Sequence, residues 1–399
     1  MRILIVNDYA VPTGGAETTL FDQRDWLRAR GHEVRVFASD AQIVPAGRPA
    51  ADYLCRGTTS RFQAVRSAFN PSASDAIAAA LDDFNPDIVH VKMFLWQLSP
   101  AILRALEGRA AVYEIMTYKP VCPMGTKLLP NGQRCTKTAG ISCLLKGCLT
   151  PQSWVAMMIQ RILWLKNKRV FARFVTVSRT MRQRLRENGL GPCSVIANGC
   201  HERPLRGSLS SIPLLAFAGR LSREKGVDTL LRAFRKAAAN APETNLLIAG
   251  DGPQRKSLEA LSRGLGVHRQ VSFLGHLERT EMEKKFEGVW AQVVPSRWEE
   301  PFGVVTVEAM MKGVAVIASN HGGCAECVVD GETGLLFPAG DDEALAGAIL
   351  QLIGNKNLCE KMGVASRELA LREYSFEKYA TAWEDCYAEV LLQHRAATS

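Results

Sequence analysis

One stretch near the last third of this 399-residue chain indicates the fold most directly: Arg297 to Gly313, with the sequence R-W-E-E-P-F-G-V-V-T-V-E-A-M-M-K-G. A strand-like apolar run from Val289 to Pro295 precedes it. Pro301 does not fit a helix interior, whereas the residues from about Val304 favour a helix that stops at Gly313. The stretch therefore predicts a buried strand, a Pro-Phe-Gly turn and a short helix.

Two carboxylates bracket this turn, Glu300 on the predicted loop and Glu308 inside the predicted helix. A helix entered through a small-residue turn offers backbone N–H groups and the positive end of its dipole to a phosphate, and Gly303 lets the backbone approach closely. A carboxylate about two turns further in can accept two hydrogen bonds from a ribose diol, which leaves Glu300 to face a sugar. The spacing alone also fits two surface glutamates.

Strands of the second half repeat this arrangement, because each is followed by a polar or glycine-rich loop. Alternating strands and helices predict a parallel sheet, and ligands of such sheets bind beyond the carboxyl ends of the strands. The predicted strands are Leu214–Ala218, Asn245–Ala249, Val271–Leu274, Val289–Pro295 and Val314–Ala318.

The first half begins with a similar unit. A strand at Ile3–Val6 is followed by Gly14 and Gly15 and by a helix over about Ala16–Arg30, the entry to a Rossmann-like unit whose glycines let the backbone reach a phosphate or sugar. Further predicted strands are Glu33–Ala38, Asp87–Val91, Ala111–Ile115, Val175–Ser178 and Ser194–Ile196. The segment Pro204–Ser211 is the best candidate for a linker between the halves.

Charge is unevenly divided along the chain. Residues 1–200 hold 26 Lys and Arg against 14 Asp and Glu, whereas the remainder holds 23 against 26. No acidic residue lies between Glu114 and Glu187, where 14 basic residues occur. This pattern favours an anionic lipid surface or a phosphorylated acceptor, and it also fits a solvated basic face; nucleic acid is disfavoured because no reading motif is present.

The basic stretch contains an insert, residues 118–170, with two unusual parts. Four cysteines without a Cys-x-x-Cys pair leave two alternatives, a structural zinc site or ordinary thiols with an occasional disulfide: Cys122, Cys135, Cys143 and Cys148. Trp154–Val170 is a basic amphipathic helix with two tryptophans, typical of a membrane-interface helix. A core helix fits equally well, with Trp154, Met158, Ile162 and Leu165 on its buried face.

Targeting signals are not evident. The first apolar run is too short for a signal peptide, and no stretch reaches the 18 or so apolar residues of a membrane span. We therefore expect a protein on the cytoplasmic side, with the inner face of the cell membrane as a site of peripheral attachment.

Taken together, several motifs resemble those of one family, the retaining glycosyltransferases of family 4. They are G-R-L-S-R-E-K-G (Gly219–Gly226), A-G-D-G-P (Ala249–Pro253), F-L-G-H (Phe273–His276), E-P-F-G-V-V-T-V-E-A (Glu300–Ala309) and, in the first half, G-G-A-E and P-D-I-V-H. The resemblance covers nearly the whole chain. It implies an α/β protein of the GT-B architecture, two facing Rossmann-like domains with parallel sheets and an interdomain cleft.

The resemblance also implies a division of labour between domains. Residues 1–203 would hold the acceptor, residues 204–375 the nucleotide-sugar donor, and the helix of residues 376–399 would pack back on the first domain. Arg220 and Lys225 would clamp the diphosphate, Glu308 would hold the ribose and Glu300 the donor sugar. The amides of Phe302, Gly303 and Val304 would complete the phosphate site, and backbone near Gly275 and His276 would contact the base. No Asp-x-Asp occurs in the sequence, which fits transfer without a metal or another cofactor.

One position departs from the family pattern. Met116 and Thr117 stand where many members have His-Asp before a Cys-Pro, and methionine carries no hydrogen-bond donor or charge. We expect transfer from a UDP- or GDP-sugar to a hydroxyl acceptor, lipid-linked or polysaccharide. The alternatives are a small soluble acceptor, a nucleotide-sugar-binding protein with weakened catalysis, and, less favoured, sugar-nucleotide epimerisation.

Overall fold

The computed structural model describes residues 1–11, 15–41, 50–60 and 63–398. The chain divides into two compact units, unit 1 with Met1–Asn198 and Glu377–Ser399 and unit 2 with Gly199–Phe376. In unit 1 the elements are β1 (Arg2–Tyr9), α1 (Gly15–Ala29), β2 (Glu33–Ser39), β3 (Tyr53–Cys55), α2 (Gln63–Ala68), α3 (Pro71–Phe84), β4 (Ile88–Val91), β5 (Ala111–Ile115), α4 (Ile141–Leu145), α5 (Pro151–Asn167), β6 (Arg173–Thr176), α6 (Arg179–Glu187) and β7 (Cys193–Val195).

Unit 2 repeats the alternation of strands and helices. Its elements are β8 (Leu214–Ala218), α7 (Val227–Asn240), β9 (Asn245–Ala249), α8 (Arg255–Gly264), β10 (Val271–Gly275), α9 (Arg279–Lys285), β11 (Ala291–Val294), α10 (Val304–Met311), β12 (Ala315–Ser319), α11 (Gly322–Cys327), β13 (Gly334–Phe337), α12 (Asp342–Ile353) and α13 (Lys356–Glu373). The last helix, α14 (Phe376–Thr398), starts at the end of unit 2 and continues in unit 1.

Each unit is built on one parallel sheet. The strand order is β3-β2-β1-β4-β5-β6-β7 in unit 1 and β10-β9-β8-β11-β12-β13 in unit 2. Every pairing in both sheets is parallel. In each sheet the first strand of the unit lies inside the sheet and the order reverses there, so two parallel Rossmann-like sheets are confirmed.

Two details of unit 1 differ from the sequence-based expectation. The strand predicted over Val175–Ser178 is β6 and ends at Thr176, because Ser178 caps α6 and its Oγ accepts from the Met181 amide at 3.1 Å. The edge strand β3 was not predicted, since three residues are too few for a periodic pattern.

Helix α5 begins at a well-formed cap, because Thr150 accepts from the Ser153 amide at 3.3 Å and Pro151 occupies the first helical position. The predicted core face of this helix is wrong. Trp154 and Met158 are only half-buried, and Ile162 and Leu165 are exposed.

The buried face of α5 is instead formed by Ala156, Met157, Gln160 and Trp164. Trp164 sets this orientation, because its ring lies 5.6 Å from those of Phe94 and Tyr113 in the aromatic core of unit 1. The side of α5 that carries Ile162 is thereby left in solvent.

Helix α14 is fixed to the sheet of unit 1 by buried polar groups. The Lys92 ammonium lies 2.8 Å from the Glu114 carboxylate and 3.1 Å from the Tyr379 hydroxyl. His90 contacts Glu114 at 3.1 Å and the Tyr387 hydroxyl at 2.7 Å. Because these side chains are fully buried, their charges are compensated by one another and not by water. Within the described residues, the helices of the protein include none that is both long and apolar enough to cross a membrane.

Candidate functional site

Most of the predicted donor residues of unit 2 lie on loops at one edge of its sheet. Arg220 and Lys225 follow β8, Gly275 ends β10, and the segment Ser296–Gly303 follows β11. Because all strands of the sheet are parallel, their carboxyl ends meet at this edge, which is where open α/β sheets bind ligands.

Lys225 and Glu300 form the centre of the site. The Lys225 Nζ lies 2.8 Å from Glu300 Oε1, and the Ser296 hydroxyl donates to the same carboxylate. Burial alone would raise the pKa of Glu300, but Lys225 and Ser296 outweigh it and hold that pKa below its ordinary value. The carboxylate in turn raises the pKa of Lys225 against the opposing effect of burial. Both groups are therefore charged at neutral pH.

The loop that carries Glu300 is held by close backbone packing. Gly323 donates its amide to the Glu300 carbonyl at 2.7 Å, and a Cβ on Gly323 would lie 2.4 Å from the Phe302 Cα. Gly303 has φ +91° at the N-cap of α10, and a Cβ there would lie 2.3 Å from Cys324 Sγ. Only glycine fits these positions, so glycine is what allows the loop to pack this closely.

The loop after β8 is brought to Glu300 by another glycine. Gly226 has φ +67°, and a Cβ on it would lie 2.0 Å from the Pro295 carbonyl oxygen. The Arg297 amide donates to the Glu224 carbonyl at 2.8 Å, which joins the two loops. Arg220 lies on the same loop with an exposed side chain, and its guanidinium makes no ion pair with the residues that the structure describes. Two cations therefore lie on the loop next to the start of α10.

Glu308 lies further along α10 at a cavity within unit 2. Arg203 Nη2 is 3.2 Å from Glu308 Oε1, yet burial raises the pKa of this carboxyl above its ordinary value. Arg279, at the start of α9, also lines the cavity. The remaining lining is mixed: Met282, Phe286, Val289, Val305 and Val314 are apolar, and Glu283, Gln292 and Lys312 are polar or charged.

Neither Arg203 nor Arg279 was predicted from the sequence. Arg203 lies 105 positions before its partner Glu308, in a segment without a motif, and Arg279 begins a short helix of ordinary composition.

Gly275 and His276 lie at the end of β10. Gly275 has φ +76° and accepts from the Gly250 amide at 2.7 Å, and His276 is exposed. A Cβ on Gly250 would lie 1.9 Å from the Gly219 carbonyl oxygen. Glycines thus allow the ends of β8, β9 and β10 to approach one another closely.

The predicted residues of unit 1 are described in part. Gly15 is the first residue of α1, whereas Gly14 lies outside the described residues. Met116 is buried after β5, with Thr117 half-buried beside it.

A second polar cluster of unit 1 was not predicted. Asp8, at the end of β1, accepts from the amides of Trp96, Gln97 and Leu98 at 2.7–3.0 Å. Burial nevertheless raises its pKa to about 6. The Lys119 ammonium lies 3.9 Å from the centre of a Trp96 ring, and burial lowers its pKa to about 8.

The cysteine insert gives no support to the zinc alternative. Cys122, Cys135, Cys143 and Cys148 are free thiols. Over residues 1–11, 15–41, 50–60 and 63–398, no three His, Cys, Asp or Glu side chains are grouped to hold a metal ion.

Comparison with known proteins identifies the family. Residues 207–369 match the family model described as glycosyl transferases group 1, and residues 13–202 match that of glycosyltransferase family 4. The phosphatidyl-myo-inositol mannosyltransferase of Mycobacterium leprae is 30% identical over 404 residues, 96% of this chain and 95% of that protein. The chain belongs to the family 4 glycosyltransferases.

Other relatives match over a part or in fold alone. The glycogen synthase of Mycobacterium tuberculosis is 32% identical over 224 residues, 53% of each protein, so the match spans about half of that relative's length. Sucrose-phosphate synthase from Thermosynechococcus elongatus is 20% identical with a TM-score of 0.75, over 98% of this chain and 100% of that one. Anabaena HepE in complex with UDP and glucose is 18% identical with a TM-score of 0.71, over the same shares. The GT-B architecture of the two units is thereby confirmed.

Proposed function

We propose that this protein transfers a sugar from a UDP- or GDP-sugar to a hydroxyl acceptor, with retention of anomeric configuration. The observation that supports this most is the Lys225–Glu300 ion pair at 2.8 Å, placed at the loop that leads into α10. Cations and helix amides favour a diphosphate, and a carboxylate beside them suits sugar hydroxyls.

The diphosphate would bind between the loop after β8 and the first turn of α10. Arg220 and Lys225 would face its oxygens, and the amides of Phe302, Gly303 and Val304 would donate hydrogen bonds to the phosphate oxygens as negative charge builds on the departing nucleotide. On binding, Glu300 would exchange part of its contact with Lys225 for donor-sugar hydroxyls. We propose that these groups act without a divalent ion.

The nucleoside would lie beside Glu308. Its carboxylate would accept from the two ribose hydroxyls, with Arg203 holding the carboxylate in place from 3.2 Å. Backbone near Gly275 and His276 would contact the base edge.

In transfer with retention, the departing phosphate would assist the incoming hydroxyl group. The bond between the anomeric carbon and the phosphate oxygen breaks, and the acceptor oxygen bonds to the same face of that carbon. The hydroxyl proton of the acceptor passes to a departing phosphate oxygen. No side-chain base is required in this scheme, so Met116 at the position of the family histidine is compatible with it.

The acceptor would be lipid-linked or a polysaccharide at the cytoplasmic face of the membrane. Two observations support this assignment: the relative from M. leprae is named for a phosphatidyl-myo-inositol acceptor, and the basic stretch of unit 1 contains no acidic residue.

Transfer can be tested with purified protein and a panel of sugar nucleotides, using a lipid extract as acceptor. Proton NMR of the product should give the same anomeric configuration as the donor, and EDTA should leave the rate unchanged. An inverted product or a loss of rate with EDTA would contradict the corresponding part of the proposal.

Two alternatives are separated by simpler assays. Met116 and Thr117 motivate the first, a nucleotide-sugar-binding protein with weakened catalysis, which would bind donor but neither hydrolyse nor transfer it. The second is transfer to a small soluble acceptor, for which the product would remain in the aqueous phase.

A further inference from the structure

The helices α4 and α5 of unit 1 carry a row of large apolar side chains in solvent. On α5 the exposed fractions are 52% for Val155, 47% for Ile159, 65% for Ile162 and 40% for Leu165. Their spacing of three or four positions places them on one side of the helix, opposite the buried Trp164. This stripe has no counterpart among the other described helices of unit 1, whose exposed apolar residues are single or paired.

Helix α4 extends this surface. It packs beside α5, where the Trp154 indole donates to the Gly140 carbonyl at 2.9 Å. Ile141 and Leu145 are 57% and 77% exposed. We call these six residues of α4 and α5 the apolar stripe: Ile141, Leu145, Val155, Ile159, Ile162 and Leu165. A contiguous surface of this kind on a protein is normally covered by a partner.

The charges next to the apolar stripe indicate which partner. Lys146 follows Leu145, and Lys166 and Arg169 follow the end of the stripe, all with exposed side chains. No carboxylate occurs anywhere from residue 115 to residue 186. An apolar row with cations next to it in the sequence matches the acyl boundary of a bilayer with anionic headgroups, since the apolar side chains enter the boundary and the cations meet the headgroups.

We propose that the apolar stripe docks unit 1 on an anionic lipid bilayer. Ile159 and Ile162 enter the acyl boundary, while Lys146, Lys166 and Arg169 contact headgroups. This inference deepens the proposed function, because a transferase docked in this way would meet a lipid-linked acceptor at the membrane surface. Docking itself needs neither donor nor acceptor and is measured apart from catalysis.

The test is sedimentation with vesicles of phosphatidylcholine alone and of equimolar phosphatidylcholine and phosphatidylglycerol. The wild-type protein should bind the anionic vesicles, less so at high salt, and bind the neutral vesicles weakly. The double variant Ile159→Ser/Ile162→Ser should lower the partition coefficient at least about tenfold, because two partly exposed side chains no longer enter the bilayer. Lys166→Gln/Arg169→Gln should lower it by a similar factor on anionic vesicles only.

A matched control is Val364→Ser on α13, an apolar residue that is 59% exposed in unit 2. It should bind vesicles as the wild type does. Equal vesicle binding by the wild type and the Ile159→Ser/Ile162→Ser variant would overturn the proposal, as would no binding by the wild type. Light scattering tests whether a second copy of the chain covers the apolar stripe instead. If the wild type is a dimer and the double variant is a monomer, the stripe is a dimer interface and the proposal is overturned.

Donor binding distinguishes this failure from a failure of the proposed function. Calorimetry with sugar nucleotides should give the same affinity for the wild type and the stripe variants. If a stripe variant loses vesicle binding but keeps its affinity for sugar nucleotides, the substitution has affected only the docking surface. If the wild type binds vesicles but no nucleotide, the docking surface stands and the transferase proposal fails.

Discussion

At the scale of single residues, the site depends on charges that compensate one another. Glu300 is buried and stays ionised because Lys225 lies 2.8 Å away and Ser296 donates to it. A donor diphosphate would compete with Glu300 for the same ammonium, which would free the carboxylate for sugar hydroxyls. Donor binding and positioning of the sugar are thereby linked through one lysine.

Removing this lysine should act mainly on turnover. For Lys225→Ala we expect kcat to fall by about two orders of magnitude, as for the loss of one transition-state donor. Glu308→Ala should act on donor binding and raise KM, because its contacts to the ribose are made before and during transfer. Steady-state kinetics measures both, with melting curves to confirm folding.

Lys256→Ala is the matched control, since this lysine is exposed on α8. It should keep wild-type kinetics. Wild-type rates in both Lys225→Ala and Glu308→Ala would mean that the site lies elsewhere.

Two buried groups of unit 1, His90 and Asp8, should have opposite effects on the free energy of unfolding as the pH falls. Burial lowers the pKa of His90 to about 4, so protonation of the unfolded chain removes stability as pH falls from about 6.5 to 4, by about 3 kcal/mol. Burial raises the pKa of Asp8 to about 6, so the folded protein binds a proton there at a higher pH than the unfolded chain does. This binding adds to the free energy of unfolding as the pH falls over nearly the same range.

The variant Asp8→Asn separates these effects. Its free energy of unfolding should fall more steeply between pH 7 and pH 4 than that of the wild type, because the contribution of His90 is no longer offset. Urea titrations at several pH values measure the difference. Parallel pH profiles for the two proteins would show that one of these groups does not titrate as described.

At the scale of elements, the short helix α10 and the loop before it depend on glycine. Gly323→Ala places a Cβ 2.4 Å from the Phe302 Cα, and overpacking of this kind costs about 1–3 kcal/mol. The loop with Glu300 should shift, so we expect both a lower melting temperature and weaker nucleotide binding.

Gly347→Ala on α12 provides the contrast. Apart from its chain neighbours and the backbone of its own helix, no atom lies within 4 Å of a Cβ added there, and alanine should stabilise this helix by about 0.5–1 kcal/mol. The two variants should therefore shift the melting temperature in opposite directions. A harmless Gly323→Ala would argue against a rigid loop at the site.

The sequence predicted the strands and helices better than it predicted the contacts between them. Strand ends, the turn at Pro301 and the helix with Glu308 follow from local patterns, because proline, glycine and periodicity act over a few residues. The orientation of α5 was wrong because that helix has apolar residues on two sides, and the aromatic cluster around Trp164 decides which side is buried. Arg203 and Arg279 were missed for the same reason, since contacts between distant segments leave no local pattern.

At the scale of the whole molecule, unit 1 is completed by the end of the chain. Trp383 and Tyr387 of α14 are fully buried, and Tyr387 meets His90 beside Glu114. A chain that lost α14 would leave these charges without part of their compensation. The last helix is therefore a structural part of unit 1.

The substitution Trp383→Ala measures this contribution. Loss of a fully buried tryptophan should cost about 3–5 kcal/mol in the free energy of unfolding. Leu392→Ala on the same helix is the control, because that leucine is 68% exposed and its loss should cost little. Chemical denaturation monitored by circular dichroism compares them. Similar stabilities of the two variants would contradict the burial of α14.

The whole proposal depends on unit 2 holding a nucleotide-sugar at Lys225, Glu300 and Glu308. The most direct measurement is isothermal titration calorimetry of UDP, GDP, ADP and their common sugar forms, with and without EDTA, on the wild type and Glu308→Ala. We predict selective binding of one nucleotide that chelator does not change and that Glu308→Ala weakens. Absence of binding by every nucleotide, or equal binding by the variant, would contradict it.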